Sequence, residues 1–300
     1  MKGVIWFRTD LRIDDNPALR SALDNCEEII GIYIFSQLQW KSHNESNVKL
    51  EFLIKNLFLL EKSLSKLNIP LITIKTESFD SLPKDLSSFV VSNKVGQIFW
   101  NNEFGVNESK RDLLSCTMLK KENVKTSRFD DQVIYEPGYL KTGQGKPFSV
   151  FTPFKRRWIE NFEMDFLDIN YKHSIKKPTN IKSDLSKIEF VRTHSVNMDL
   201  WPAGESAAQE RLSNFLSIKA ESYSESRNSP ILDGTSRISP YFALGILSPR
   251  RCILEGLKLN NYEFTSSMDI DNVFISSFDF DELKIFSQQK TNIKIALLTD

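Results

Sequence analysis

The sequence predicts an α/β protein whose amino-terminal part is a doubly wound, five-stranded parallel sheet of the Rossmann-like kind. Short runs of nearly continuous apolar residues recur through the first 130 residues, as is typical of strands buried on both faces. Between them lie longer stretches in which apolar residues return every three to four positions, the period of a helix. Alternating strands and helices of this kind build parallel sheets covered by helices.

Five strands are predicted in order, and helices fill the intervals between them. The strands cover Val4–Phe7, Ile29–Phe35, Pro70–Lys75, Gly96–Trp100 and Val124–Phe129. Asn16 followed by Pro17 marks the first helix, because asparagine caps helices and proline is tolerated at the first helical position. Longer helices are predicted at Leu50–Leu67 and Glu108–Lys121. Sheets of this class bind ligands beyond the carboxyl ends of their strands.

A second, helical part follows a less periodic segment. Pro137-Gly138 and the glycines near Pro147 interrupt the pattern, as is typical of a connector between domains. The helical period returns after Gly204, with Leu212 and Phe215 on one apolar stripe. We therefore predict an α/β domain at 1–130, a connector at 131–198, the start of an all-α domain at 199–262 and a divergent tail at 263–300.

Composition and missing motifs restrict the possible functions. Lysine plus arginine equals aspartate plus glutamate at 39 each, so a nucleic-acid partner requires a local basic patch. Three scattered cysteines indicate a reducing compartment, and no apolar run approaches the ~20 residues that cross a bilayer. We expect a cytoplasmic protein without a membrane partner. The fingerprints G-x-G-x-x-G, H-E-x-x-H, C-x-x-C and G-x-S-x-G are missing, and the three histidines are scattered, so NAD, metal and serine-nucleophile chemistry have no support.

The segment 233–239, D-G-T-S-R-I-S, has the composition of an anion-binding turn. Gly234 allows the backbone to approach a neighbour closely, while Thr235, Ser236 and Ser239 supply hydroxyl groups. The following Pro240 starts a helix, whose first N–H groups favour an anion. An ordinary capped helix after a glycine turn fits the same residues equally well.

Two segments together resemble the DNA photolyase/cryptochrome family, specifically its class I cyclobutane-pyrimidine-dimer photolyases. They are W-F-R-T-D-L-R-I-D-D-N at residues 6–16, and D-G-T-S-R-I-S at 233–239 followed by L-S-P-R-R at 247–251. The segment F-T-P-F at 151–154 and the pair Tyr223 and Arg227 fit the same template. The resemblance spans roughly residues 1–262.

The resemblance implies light-driven repair of pyrimidine dimers in DNA by electron transfer from reduced FAD. The flavin does the chemistry, so no residue is expected to act as catalytic acid, base or nucleophile. The charged loop of Arg8, Asp10, Arg12, Asp14 and Asp15 is expected to form structural ion pairs. By resemblance the FAD contacts are Tyr223, Thr235, Ser236, Arg237 through side chain or backbone, Ile238 and Ser239, whereas Arg227 faces DNA.

A second chromophore is also implied. In folate-type photolyases, residues of the kinds found at His43, Asn107 and Glu108 hold a 5,10-methenyltetrahydrofolate antenna. His43 follows the second predicted strand, and Asn107 and Glu108 follow the fourth, where ligands of such sheets lie. Asn107 also suits the N-cap of the next helix, and His43 suits an exposed loop.

The last 38 residues depart from the family pattern. No tryptophan follows Trp201, and residues 263–300 contain seven acids and three bases, the wrong sign for a DNA groove. The sequence therefore predicts a truncated or divergent carboxyl-terminal half and doubtful activity for this chain. The alternatives are a cryptochrome-like blue-light receptor of the same fold and a non-catalytic pterin- or nucleotide-binding α/β module. Intact members of the family are expected to be monomers.

Overall fold

The computed structural model describes residues 1–188 and 197–259. The chain divides into two compact units: Met1–Asp131 with Tyr171–Gly204, and Gln132–Asn170 with the chain from Glu205 onward. The predicted tail at 263–300 lies outside the described residues. No helix in the described part of the chain has both the length and the apolar character needed to span a membrane.

The first unit contains the predicted five-stranded sheet, and all its strands run parallel. The strands are β1 (Lys2–Phe7), β2 (Glu28–Phe35), β3 (Leu71–Lys75), β4 (Gln97–Asn101) and β5 (Lys125–Phe129), in the spatial order β3-β2-β1-β4-β5. This confirms the predicted fold class. The direction of winding changes between β1 and β4, so the crevice at their carboxyl ends is the usual ligand position of the fold.

Helices cover the sheet, and their bounds follow local capping chemistry. They are α1 (Pro17–Asn25), α2 (Gln37–Ser42), α3 (Asn47–Ser65), α4 (Leu82–Ser92) and α5 (Val106–Lys121). The Asn16 side chain accepts the Leu19 N–H at 3.0 Å, which confirms the predicted cap of α1. Helix α3 begins before the predicted Leu50 because the Ser46 hydroxyl accepts the Lys49 N–H at 3.2 Å. Ring pairs such as Trp6 against Trp100, with centroids 5.5 Å apart, fill the core.

The predicted connector at 131–198 differs from the structure, because its two parts belong to different units. Residues 132–170 form part of the second unit, and residues 171–204 belong to the first. Strand β3 lies at an edge of the sheet, where unpaired backbone groups need partners. The Thr73 N–H donates to the Asp184 carbonyl at 2.9 Å, and the Asp184 N–H donates to the Leu71 carbonyl at 2.9 Å. The returning chain therefore covers part of that edge.

The second unit is helical in its described residues. Its helices are α6 (Phe151–Glu160), α7 (Glu205–Asn214), α8 (Tyr223–Ser226), α9 (Ser239–Ala243) and α10 (Pro249–Leu259), with a π-helical turn at Phe215–Lys219. An aromatic cluster orders the first part of the unit. The Tyr135 hydroxyl donates to the Trp158 carbonyl at 2.9 Å, and the two rings meet edge to face with centroids 5.5 Å apart.

Candidate functional site

The loop at 233–239 approaches helix α8 so closely that only glycine fits at position 234. A β-carbon on Gly234 would lie 2.3 Å from the Ser226 hydroxyl oxygen and 2.6 Å from the Ser226 β-carbon. The left-handed backbone angle of the loop falls on Arg237, whose φ is +52°, and not on the glycine. Gly234 therefore serves the close approach predicted from the sequence, while the turn itself is made at Arg237.

Two hydroxyl groups of this loop are available to a ligand. Ser236 is buried and Thr235 is half-buried. Within residues 1–188 and 197–259, neither side chain makes a hydrogen bond. Ile238 is 1% exposed and precedes α9, whose first residue is Ser239. The loop thus presents uncommitted hydroxyl groups next to a buried apolar anchor.

The side chain of Arg237 points to a carboxylate of its own loop. Its guanidinium lies 2.9 Å from Asp233, and the ammonium group of Lys219 lies 2.8 Å from the same carboxyl group. The hydrogen bond from Lys219 lowers the pKa of Asp233 below its usual range, with Arg237 adding to the effect. Since this side chain is engaged, the backbone N–H of Arg237 is the better candidate for contact with an anion.

Tyr223 and Arg227 lie on the same side of α8, as their spacing predicts. The Tyr223 ring is 5% exposed and meets Phe215 edge to face at a centroid distance of 5.5 Å. The Arg227 guanidinium carbon lies 6.0 Å from the Tyr223 ring centroid. Its Nε atom is buried and has no hydrogen-bond partner in the described part of the chain. A buried donor without a partner costs about 1–3 kcal/mol, so this atom marks a place where a ligand would be stabilising.

The three predicted antenna residues lie on two separate loops of the first unit. His43 is exposed and ends α2, and Asn107 is exposed in the first turn of α5. Gly105, not Asn107, is the N-cap of α5, so that part of the prediction is wrong. Glu108 is half-buried, and its carboxylate fills the space beside Gly105, where a β-carbon would lie 2.0 Å from Oε2. The structure shows no contact that joins His43 to Asn107 or Glu108.

A buried ion-pair cluster fills the crevice at the carboxyl ends of β1 and β4. Arg8 donates to both carboxylate oxygens of Asp112 at 2.8 Å, and Arg111 lies 2.9 Å from Glu103 and 2.7 Å from Asp112. Arg12 pairs with Asp131 at 2.5 Å. The predicted ion-pair role of Arg8 and Arg12 is therefore confirmed. The partners were not predicted, because no local pattern connects positions about 100 residues apart.

The cluster shifts the titration of two carboxyl groups in opposite directions. Burial raises the pKa of Asp10 to about 6, although the Arg8 backbone N–H, 2.6 Å from its Oδ1, opposes the shift. Burial would also raise the pKa of Glu103, but Arg8 and Arg111 outweigh it and hold the value at about 2. No group of three or more potential metal ligands occurs in the described residues.

These features define a doubly wound α/β unit joined in one chain to a helical unit with a candidate anion-binding loop. The family model described as "DNA photolyase" matches residues 3–178. The chain therefore belongs to the DNA photolyase family.

Two curated relatives named deoxyribodipyrimidine photo-lyase show the extent of the similarity. The protein from Vibrio cholerae is 29% identical, over 83% of this chain and 54% of its own length. The protein from Buchnera aphidicola is 33% identical, over 94% of this chain and 57% of its own length. The chain thus spans little more than half the length of these relatives. An alignment over 94% of the chain also extends beyond residue 262.

Solved structures of the family share this fold. A class III photolyase from Agrobacterium tumefaciens matches with a TM-score of 0.76 and 22% identity, over 96% of this chain and 58% of that one. An archaeal photolyase from Sulfolobus tokodaii, described with two FAD molecules, matches with a TM-score of 0.64 and 20% identity. The match covers 85% of this chain and 54% of that one. A cryptochrome from Synechocystis matches with a TM-score of 0.68 and 21% identity, over 95% of this chain and 58% of that one. The fold alone therefore does not separate repair enzymes from photoreceptors.

Proposed function

We propose that the protein acts in the light-driven repair of cyclobutane pyrimidine dimers in DNA, with reduced FAD as the electron donor. The observation that carries this proposal is the loop at 233–239, held against Ser226 with the uncommitted hydroxyl groups of Thr235 and Ser236. The unpartnered, buried Nε of Arg227 adds a second polar group that a ligand would satisfy. Two curated relatives with the same named activity support the choice of reaction.

The residues present fit a flavin dinucleotide. The hydroxyl groups of Thr235 and Ser236, together with the backbone N–H of Arg237, are donors suited to its diphosphate. Ile238 and Ser239 follow Arg237 in the chain, and the resemblance to the family puts the buried ring of Tyr223 on the flavin side of α8. Bound and reduced, the flavin would supply the electron that splits the cyclobutane ring. This chain's residues bind and orient, and none needs to transfer a proton.

We also propose a folate antenna at His43, Asn107 and Glu108. A pterin presents paired donors and acceptors along one edge, which an amide and a carboxylate can match. The half-buried Glu108, whose carboxylate lies beside Gly105, would accept hydrogen bonds from the donors along that edge. We place the proposed repair activity in the cytoplasm, since the three cysteines are free thiols and the proposed substrate is DNA.

Absorbance and repair assays on the purified protein test the proposal. After incubation with FAD and with methenyltetrahydrofolate in separate samples and removal of free ligand, we expect retained flavin bands in the visible spectrum. The sample is then reduced and illuminated with blue light in the presence of a dimer-containing oligonucleotide, and restored thymines are counted. Bound flavin without repair would favour a photoreceptor. A near-ultraviolet pterin band alone would favour the non-catalytic module, and no retained chromophore would contradict all of these functions.

A further inference from the structure

A cavity of about 440 Å³ opens beside the start of α6 in the second unit. One wall is a tight turn, in which the Gly145 N–H donates to the Thr142 carbonyl at 2.8 Å and the Thr142 N–H donates to the Lys146 carbonyl at 2.8 Å. The other wall comes from α6 and includes Arg156, Arg157 and Glu160. Most of the lining residues are exposed, so the cavity is an open trough and not an enclosed pocket.

The charge of this trough contrasts with that of the whole chain. Positions 141–160 hold five bases and one acid, whereas the whole chain has 39 of each sign. The bases are Lys141, Lys146, Lys155, Arg156 and Arg157. In the described residues Arg156 makes no ion pair. The contact of Arg157 with Glu160 is long, at 3.8 Å, and both side chains are about half exposed, so solvent screens it.

Two neighbouring guanidinium groups in an open trough fit a phosphodiester backbone. Each guanidinium can donate two parallel hydrogen bonds to a phosphate, and the open shape accepts an extended polymer. Phe148 also lines the trough and is half-buried against Phe154, with ring centroids 5.7 Å apart, which offers apolar surface beside the charges. Since the net charge of the whole chain is zero, a polyanion would be attracted to this region in particular.

We infer that Arg156 and Arg157 bind backbone phosphates of the DNA strand in this trough, a role that rests on the proposed function for its choice of polyanion. Phosphate contacts position a protein on DNA without reading sequence or lesion. The contribution of the trough is therefore the same on damaged and undamaged DNA. An equal contribution on damaged and undamaged DNA therefore distinguishes phosphate binding in the trough from recognition of the dimer.

The test compares DNA binding by the whole chain and its variants at several salt concentrations. Fluorescence anisotropy follows labelled single-stranded oligonucleotides with and without a thymine dimer. We expect the double variant Arg156→Ala/Arg157→Ala to bind both oligonucleotides roughly tenfold more weakly at low salt, and its salt slope to fall by about 1.4 for two lost phosphate contacts. The control, Lys120→Ala/Lys121→Ala, removes the same charge from the exposed end of α5 and leaves both quantities unchanged.

Four outcomes would overturn the inference. No binding by the unaltered chain, an unchanged salt slope, or an equal loss in the Lys120/Lys121 control would each contradict a phosphate site at the trough. Binding of inorganic phosphate that the arginine variant abolishes, with oligonucleotide binding unaffected, would show an anion site but not a DNA site. Failure of the proposed function gives a different result: no flavin is retained and both oligonucleotides bind equally, while the arginine effect persists.

Discussion

Replacing Asp112 by asparagine tests whether the buried ion-pair cluster stabilises the first unit. The Asp112 side chain is 3% exposed and accepts hydrogen bonds from both Arg8 and Arg111 at 2.7–2.9 Å. Asparagine keeps the shape but removes the charge, which leaves Glu103 to neutralise both arginines, at 3.7 and 2.9 Å. Breaking a buried pair by removing one partner typically costs about 3–5 kcal/mol. That is a large share of the total stability of an ordinary domain.

Urea denaturation measures this loss, with far-ultraviolet circular dichroism and tryptophan fluorescence as probes. Trp6 reports on the cluster directly, because the guanidinium carbons of Arg8 and Arg111 lie 4.8 and 4.9 Å from its ring centroid. The control is Lys177→Ala, which removes an exposed pair with Glu27 and should leave the midpoint unchanged. If Asp112→Asn shifts the midpoint no more than Lys177→Ala does, the predicted role of Asp112 is refuted, because Glu103 alone would then be enough to neutralise Arg8 and Arg111.

Three further predictions concern the loop, the pH dependence and the antenna. Gly234→Ala should weaken flavin binding about 5- to 150-fold by equilibrium dialysis, because overpacking against Ser226 costs roughly 1–3 kcal/mol and must shift the loop; unchanged affinity would contradict it. Because the pKa of Glu103 is lowered from 4.5 to about 2 in the folded protein, the free energy of unfolding should decrease as pH falls through that range. Because the pKa of Asp10 is raised from 3.8 to about 6 in the folded protein, the free energy of unfolding should fall as pH rises between those values. Plots of denaturation midpoint against pH should therefore slope in opposite directions in the two ranges, and Glu103→Gln and Asp10→Asn should each remove one of the slopes. Glu108→Gln should reduce retention of methenyltetrahydrofolate without affecting flavin retention, and equal pterin absorbance in both proteins would exclude Glu108 from the antenna site.

The sheet could be predicted because its signals are local. Strand β2 was expected at Ile29–Phe35 and is observed at Glu28–Phe35, since a run of apolar side chains is enough to specify a strand buried on both faces. The start of α5 was predicted wrongly from the sequence. Gly105 caps α5 instead of Asn107, and the Glu108 carboxylate then occupies the space that a larger residue at 105 would need.

The candidate flavin loop shows what a sequence pattern leaves open. The pattern D-G-T-S predicted a close backbone approach at Gly234 and hydroxyl groups at Thr235 and Ser236, and the structure has both. It did not indicate that Ser226 is the neighbour that requires glycine, nor that Arg237 adopts the positive φ. It also left open which part of Arg237 would meet an anion, because the pairing of its side chain with Asp233 depends on the folded loop.

We propose the helical unit and not the sheet as the nucleotide site, because the crevice of the sheet is already filled by paired side chains. Doubly wound sheets usually bind nucleotides in the crevice where their winding reverses. Here that crevice contains Arg8, Asp10 and Asn101, all less than 10% exposed and joined by hydrogen bonds. A ligand at that position would have to replace ion pairs whose loss costs several kcal/mol. Binding a diphosphate at the loop of Thr235 and Ser236 has no such cost, because those hydroxyl groups have no partner to lose among the described residues.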